Sequence, residues 1–275
     1  MYDLKGRVCV VSGASSGIGR EICLQLSRCG AVVVCAARRK ELLNDTVDLI
    51  AKENGIAEAL QCDFTVPEQV EELASYVKNK YKKIDLWMNG VGVNNVMGPV
   101  WEIGYDEWFA DLDGNLKTCY IGTKCAIRAM KDQGFGRIIN MSGGGVVRPE
   151  PYNSAYACAK TAIVRFTEGV SLELKEENIP IKIFAFGPGL VRTQRTIELV
   201  ELPSTRKYMP GIIDKIRNDE ATPIERPAEF ISFIASGAVD SLVGCLLDTQ
   251  MNKEEIVRDA ENIAKEGRYK IVVKP

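Results

Sequence analysis

The sequence predicts an α/β fold, a doubly wound parallel sheet with helices on both faces. Three observations predict it. Short, almost wholly apolar runs alternate with longer amphipathic stretches along the 275 residues, as expected of strands buried on both faces and joined by crossover helices. A glycine-rich turn over residues 13–19 follows the first apolar run and opens the first helical stretch. Hydrophobic residues make up 46% of the chain, enough at this length to bury a large core in one domain.

The elements follow in order. Residues 8–11 are apolar, three of them β-branched valines, and give strand one, with a helix over 17–29. Strand two spans 31–36, followed by a polar helix over 40–54. Strand three spans 57–62, and the helix over 67–80 is opened by Pro67, whose fixed φ suits a first turn. Strand four covers 84–89, a long helix 108–131 and strand five 136–142. A second long helix covers 156–177, strand six 181–186, a further helix 228–236 and a last strand 242–247. Residues 193–222 break this rhythm: apolar residues are interleaved with charges, and Pro203 and Pro210 interrupt. One or two short helices over the C-terminal edge of the sheet are expected there, as a substrate lid. The tail, 252–275, is charged and ends in Ile271, Val272 and Val273, expected to be a short packed segment.

Composition excludes several functions. With 35 Lys and Arg against 37 Asp and Glu, net charge −2, nothing recommends nucleic acid or an anionic membrane as partner. No apolar run approaches a membrane span, and the first strand begins within a few residues of Met1, so a cytoplasmic protein is expected. Nine cysteines without a Cys-x-x-Cys pair suggest neither a metal site nor a disulfide framework, and all nine are expected to be reduced and packed as small hydrophobes. There is no histidine at all. That removes imidazole as base or metal ligand, and no metal is expected. It also disposes of a hydrolase reading of the Gly-x-Ser-x-Gly at 13–17, which would need a histidine to take the serine's proton.

Two motifs carry chemistry. Gly13, Ser15, Ser16, Gly17, Ile18 and Gly19 lie where a strand turns into a helix. Unpaired N–H groups, the positive end of the helix dipole and glycines that admit close approach make such a turn a diphosphate site. Tyr156 and Lys160, four apart, share one helix face. A cation beside a phenol lowers its pKa and lets it exchange protons near neutrality. With the Asn-Gly turn at 89–90 and Pro-Gly-x-x-x-Thr at 188–193, these motifs stand in an order that resembles the short-chain dehydrogenase/reductase family over most of the chain.

The resemblance implies a single Rossmann-type dinucleotide-binding domain over residues 1–275. It also implies an oxidoreductase that interconverts a carbonyl and a secondary alcohol, with a small-molecule ketone or alcohol as substrate. Tyr156 would be the general acid/base, and Lys160 would assist it and hold the nicotinamide ribose. Asn115 would hold a water in a proton path, the preceding Gly114 making a local helix distortion plausible. Asp63 and the Phe64 backbone would meet the adenine, Asn89 and Gly90 the turn after strand four. Pro188, Gly189, Val191 and Thr193 would close over the nicotinamide end. In place of the acidic residue that favours NAD, Arg38 and Arg39 follow the end of strand two, so NADP(H) is the expected cofactor, with Arg38 the first choice for a 2′-phosphate. The family's serine usually stands thirteen residues before the tyrosine, where this chain has Gly143. Ser142 is expected to take the role if the glycines at 143–145 absorb a one-residue bulge.

Residues 93–96, 146–153 and 193–222, with Trp101, are candidate substrate walls, and Arg148 and Arg192 candidate anion contacts. Two alternatives stay open. A 3-oxoacyl-carrier reductase could dock its carrier on Lys124, Arg128 and Lys131, and a catalytically weak dinucleotide-binding sensor or scaffold would suit the displaced serine. The family implies a homodimer or homotetramer, and the extra tail argues against the tetramer.

Overall fold

The run of five buried residues Val8–Ser12 is strand β1 of a computed structural model that describes residues 2–272. Alternate residues of this strand serve two cores: Cys9 and Val11 point into one, Val8 and Val10 into the other. That is why the strand is apolar throughout instead of alternating. The remaining strands are β2 (Val32–Ala37), β3 (Ile56–Gln61), β4 (Leu86–Asn89), β5 (Arg137–Met141), β6 (Lys182–Gly187) and β7 (Leu246–Asp248). All pair in parallel, in the order β3-β2-β1-β4-β5-β6-β7. The order reverses between β1 and β4, opening a crevice at the strands' C-terminal ends.

Helices α1 (Gly17–Arg28), α2 (Lys40–Lys52) and α10 (Glu225–Ser236) cover one face, their core including Ile22, Leu43 and Phe230. Helices α3 (Pro67–Tyr81), α5 (Thr118–Met130) and α6 (Ser154–Glu176) cover the other, around Trp87.

Several boundaries differ from expectation, each for a local reason. The helix expected over 108–131 is α4 (Tyr105–Leu112) running through a π-helical turn, Asp113–Lys117, into α5. The last strand starts later, because a 3-10 turn at Asp240–Leu242 and Gly244 at φ +79° occupy the residues before it. The excursion holds three helices, α7 (Gln194–Glu201), α8 (Pro203–Tyr208) and α9 (Pro210–Arg217). Its prolines open helices instead of interrupting them. The tail forms α11 (Lys253–Arg258), capped by the Asn252 side chain, and α12 (Ala260–Glu266), and Leu246 N–H then donates to Tyr269 O across 2.8 Å. Val273 lies outside the described residues.

All nine cysteines are free and eight are buried; Cys158 is the correction, lying exposed on the outward side of α6. No helix among the described residues is long and apolar enough to cross a membrane.

Candidate active site

The crevice holds a cavity of about 1050 Å³. Its nucleotide end is built by close approach of three backbones. Gly13 lies at φ +73°, and a Cβ there would meet Gly90 O at 2.9 Å; a Cβ on Gly19 would meet Gly13 O at 2.3 Å. Ser12 Oγ, buried beneath, accepts from Gly90 N at 2.9 Å. No side chain caps α1 at Ser16, so the first N–H groups of the helix remain available to a ligand. Ser15, Gly17 and Ile18 line the same wall. This cradle fits a nucleotide diphosphate on the chain's own geometry.

Arg38 and Arg39 are exposed at the end of β2 and line the cavity. Arg39 Nη2 donates to Ser15 Oγ at 3.1 Å and Ser16 Oγ at 3.0 Å, so its guanidinium already hangs over the turn. Asp63 and Phe64 also line the wall. Partial burial works against the Asp63 charge, but hydrogen bonds from Thr65 N and Oγ1, with Arg38 nearby, hold its carboxyl below the usual range. Pro188, Gly189, Val191 and Thr193 line the far side, where the Thr193 methyl lies 3.4 Å from the position of a Cβ on Gly17.

Asn89 departs from expectation. Its side chain accepts from Trp87 Nε1 at 2.9 Å and donates to Thr123 Oγ1 and Asn140 Oδ1 at 3.1 and 2.8 Å. It is a buried brace behind the turn, and only Gly90 reaches the cavity.

At the other end, Tyr156 and Lys160 project from the first turns of α6 into the cavity. Lys160 is 2% exposed, its Nζ donates to Met141 O at 3.1 Å and lies 5.5 Å from the Tyr156 ring centre. Burial pulls its pKa down to about 8. Tyr156 lines the cavity, but burial of the phenol, reinforced by the charge of Glu150, pushes its pKa up to about 12. The expected lowering is therefore reversed: desolvation and Glu150 together outweigh the lowering charge of Arg195, and the phenol keeps its proton.

Ser142 lines the cavity, but not by the expected bulge. Its N–H still pairs with Phe186 O at 2.8 Å, which keeps it in register as an extension of β5, and its Oγ donates to Lys160 O at 3.3 Å. No bulge forms. Gly143 faces the phenol instead, and a Cβ there would lie 2.2 Å from Tyr156 Oη.

Asn115 is fully buried at the π-helical turn. Its Nδ2 donates to Val93 O and Asp111 O at 2.8 and 2.7 Å, and its Oδ1 accepts from Val93 N at 3.3 Å. A Cβ on Gly92 would stand 3.1 Å from this Oδ1 and 3.3 Å from Lys160 Nζ, so glycine is what lets the two approach.

In the sequence, residues 146–153 stand out only as a candidate wall. The structure singles out Glu150 and Asn153, whose Nδ2 donates to Glu150 Oε2 at 2.9 Å while its Oδ1 is buried without a partner. The glycine at 143, a residue without the family's hydroxyl, was the one sequence signal that something else must line this space.

A family model described as short chain dehydrogenase matches residues 7–202. The chain belongs to that family. It is 32% identical over 200 residues to the 7alpha-hydroxysteroid dehydrogenase of Clostridium sardiniense, covering 72% of this chain and 76% of that one. It is 26% identical over 247 residues to the 3beta-hydroxysteroid dehydrogenase of Mediterraneibacter gnavus, covering 84% and 89%. A variant of actinorhodin polyketide ketoreductase, solved with NADPH, superposes with a TM-score of 0.78 at 25% identity over 88% of this chain and 95% of that one. As a short-chain dehydrogenase, the chain is an oxidoreductase with a nicotinamide cofactor and a small-molecule substrate.

Proposed function

We propose that the chain is an NADP(H)-dependent oxidoreductase interconverting a ketone and a secondary alcohol, with Tyr156 as the proton-transferring group. The observation that carries this reading is one cavity shared by a diphosphate cradle with two arginines at its rim and by a protonated phenol beside a buried lysine. When bound, the nicotinamide supplies or accepts the hydride. Tyr156 Oη gives its proton to the carbonyl oxygen in reduction, and its raised pKa keeps that proton in place at neutral pH. Lys160, poised near neutrality, would compensate the phenolate left behind. Asn115 holds Val93, and with it the loop roofing Lys160, in position. Arg38 and Arg39 would take a 2′-phosphate, and no carboxylate stands at the end of β2 to repel it. The lid α7–α9 would cover the substrate.

The test is titration with NADPH and NADH, then turnover of a ketone panel followed at 340 nm, on the wild type and Tyr156→Phe. NADPH should bind at least about tenfold tighter than NADH. The variant should keep that affinity and lose about a hundredfold or more in kcat. Equal affinities would refute the arginine argument, and no binding of either nucleotide would sink the reading. The glycine at 143 favours one second reading, a dinucleotide-binding sensor, which tight NADPH binding without oxidation by any ketone would support.

A further inference from the structure

Asn153 is the N-cap residue of α6, the longest helix of the described residues. Asparagine at this position ordinarily turns its side-chain oxygen back onto the helix's free N–H groups, worth about 1 kcal/mol. Here it makes no cap. Its amide donates instead to Glu150 Oε2 at 2.9 Å. That bond fixes the orientation of the carboxamide, because a carboxylate can accept only from the NH₂ side. The carbonyl oxygen is therefore Oδ1, and among the described residues it is buried with no partner, while the residue is 2% exposed and lines the cavity. A buried acceptor left unsatisfied costs stability unless a ligand supplies the donor.

Glu150 has the complementary peculiarity. Its carboxylate packs against the turn that carries Gly143, with Oε2 at 3.2 Å and Oε1 at 3.4 Å from where a Gly144 Cβ would stand, and it lines the cavity. Among the described residues no cation forms an ion pair with it. Glu150 and Asn153 thus both line the cavity beside the phenol, where the family places a hydroxyl donor, and the Asn153 oxygen lies sealed behind that surface without a donor among the described residues. The Glu150 carboxylate can only accept hydrogen bonds, and the Asn153 amide is already spent on it.

Resting on the oxidoreductase reading above, we propose that Glu150 and Asn153 form a substrate subsite that selects carbonyl compounds bearing a hydrogen-bond-donating group next to the reacting carbon. The group is a hydroxyl or an ammonium: both offer the protons that Glu150 Oε1 and Asn153 Oδ1 lack. The substrate anchors itself through its own donor, and Tyr156 alone contacts the carbonyl oxygen.

Three ketones of nearly equal size test this: hydroxyacetone, aminoacetone and butanone, which place OH, NH₃⁺ and CH₃ at one position. With NADPH, kcat/KM for the better of the two donors should exceed that for butanone by about 10- to 100-fold, the span of a hydrogen bond to a charged group. The preferred donor identifies the group. Glu150→Gln turns an amide N–H toward the substrate, and Asn153→Leu removes the free oxygen; in each the ratio should fall toward one. The ratio is the decisive readout, since a loss of folded protein lowers both rates alike and leaves it unchanged. Butanone reduced as well as both donors by the wild type overturns the proposal, and so does a ratio that survives both substitutions. Reduction of none of the three is the failure of the carbonyl reading instead. Calorimetric binding of hydroxyacetone and aminoacetone against butanone to the NADPH-loaded protein then judges the subsite by itself, and equal affinities overturn it.

Discussion

Lys160 shows at the scale of one residue how a functional group is kept at the expense of stability. The residue is 2% exposed and its one side-chain hydrogen bond among the described residues goes to Met141 O, so the charged form is poorly compensated and burial brings the pKa from its ordinary 10.5 down to about 8. Between these two values the unfolded chain holds a proton that the folded chain has released, so stability rises with pH across that window. The full stabilisation is present above 10.5 and is lost as the pH falls through 8. The difference amounts to roughly 3 kcal/mol. Lys160→Met, which fills the same space without a charge, should therefore raise the unfolding free energy by about 2 kcal/mol at pH 7, after the lost hydrogen bond is counted. The gain should shrink progressively between pH 8 and 10, while turnover is abolished. Urea titrations of both proteins at pH 7 and pH 9.5 check it, and a gain that grows with pH would contradict the burial argument.

At the scale of elements, the lid is a loop closed at its root. Val191 and Thr222 bridge, and Thr222 N donates to Leu190 O at 2.7 Å, so α7, α8 and α9 leave and return at one point. The lid has its own small core of Val200, Ile213 and Ile216, and it rests on the body through Tyr208 stacked on Tyr152 at 4.9 Å. Tyr152 holds φ +65°, a strained conformation for a bulky residue, which that stack helps to maintain. Tyr208→Ala should loosen the cover: trypsin should cleave more readily at Arg206 or Lys207, and KM should rise more than kcat falls. Timed digestion and steady-state kinetics on the same preparation read both. An unchanged digestion pattern would mean that other contacts, such as Arg195 with Asn95 at 2.6 Å, suffice to hold the lid. Little of this was legible beforehand. Pro203 and Pro210 look like interruptions in a sequence, since the same fixed φ ends one helix and begins the next. The glycine turn and the Tyr156–Lys160 pair were legible because their geometry is set by residues a few positions apart. The Glu150–Asn153 pair and the role of Asn89 were not. They depend on where a glycine loop runs and on which distant side chains, such as Thr123 and Asn140, complete a network.

At the scale of the whole molecule, the sheet has two edges and they are managed differently. Strand β3 ends one side as a half-exposed strand whose Glu58 is engaged by Tyr76, Lys80 and Tyr81, a charged edge unsuited to pairing. Strand β7 is short, and the tail seals it: Leu246 N–H donates to Tyr269 O at 2.8 Å, and Cys245 Sγ reaches Arg268 O at 3.6 Å. The same segment satisfies a buried acid. Glu168, 5% exposed, accepts from Ile271 N at 2.6 Å, and its partner Arg165 donates to Ile271 O at 2.6 Å. Removing residues 267–275 should thus do two things together. It should free backbone groups along β7, and it should leave the Glu168 carboxylate with Arg165 alone. The first raises the tendency of sheets to join edge to edge; the second costs about 1–3 kcal/mol, the usual penalty for a buried acceptor stripped of its donor. Light scattering coupled to gel filtration should report a higher mean mass for the shortened chain than for the intact one, and its melting temperature should fall by several degrees. Glu168→Gln in the intact chain separates the two effects, because it weakens the clamp on Ile271 while leaving the Tyr269 bond in place. It should lower the melting temperature without changing the mass. A shortened chain that matches the intact one in both mass and melting temperature would show that the tail neither guards the edge nor supports α6.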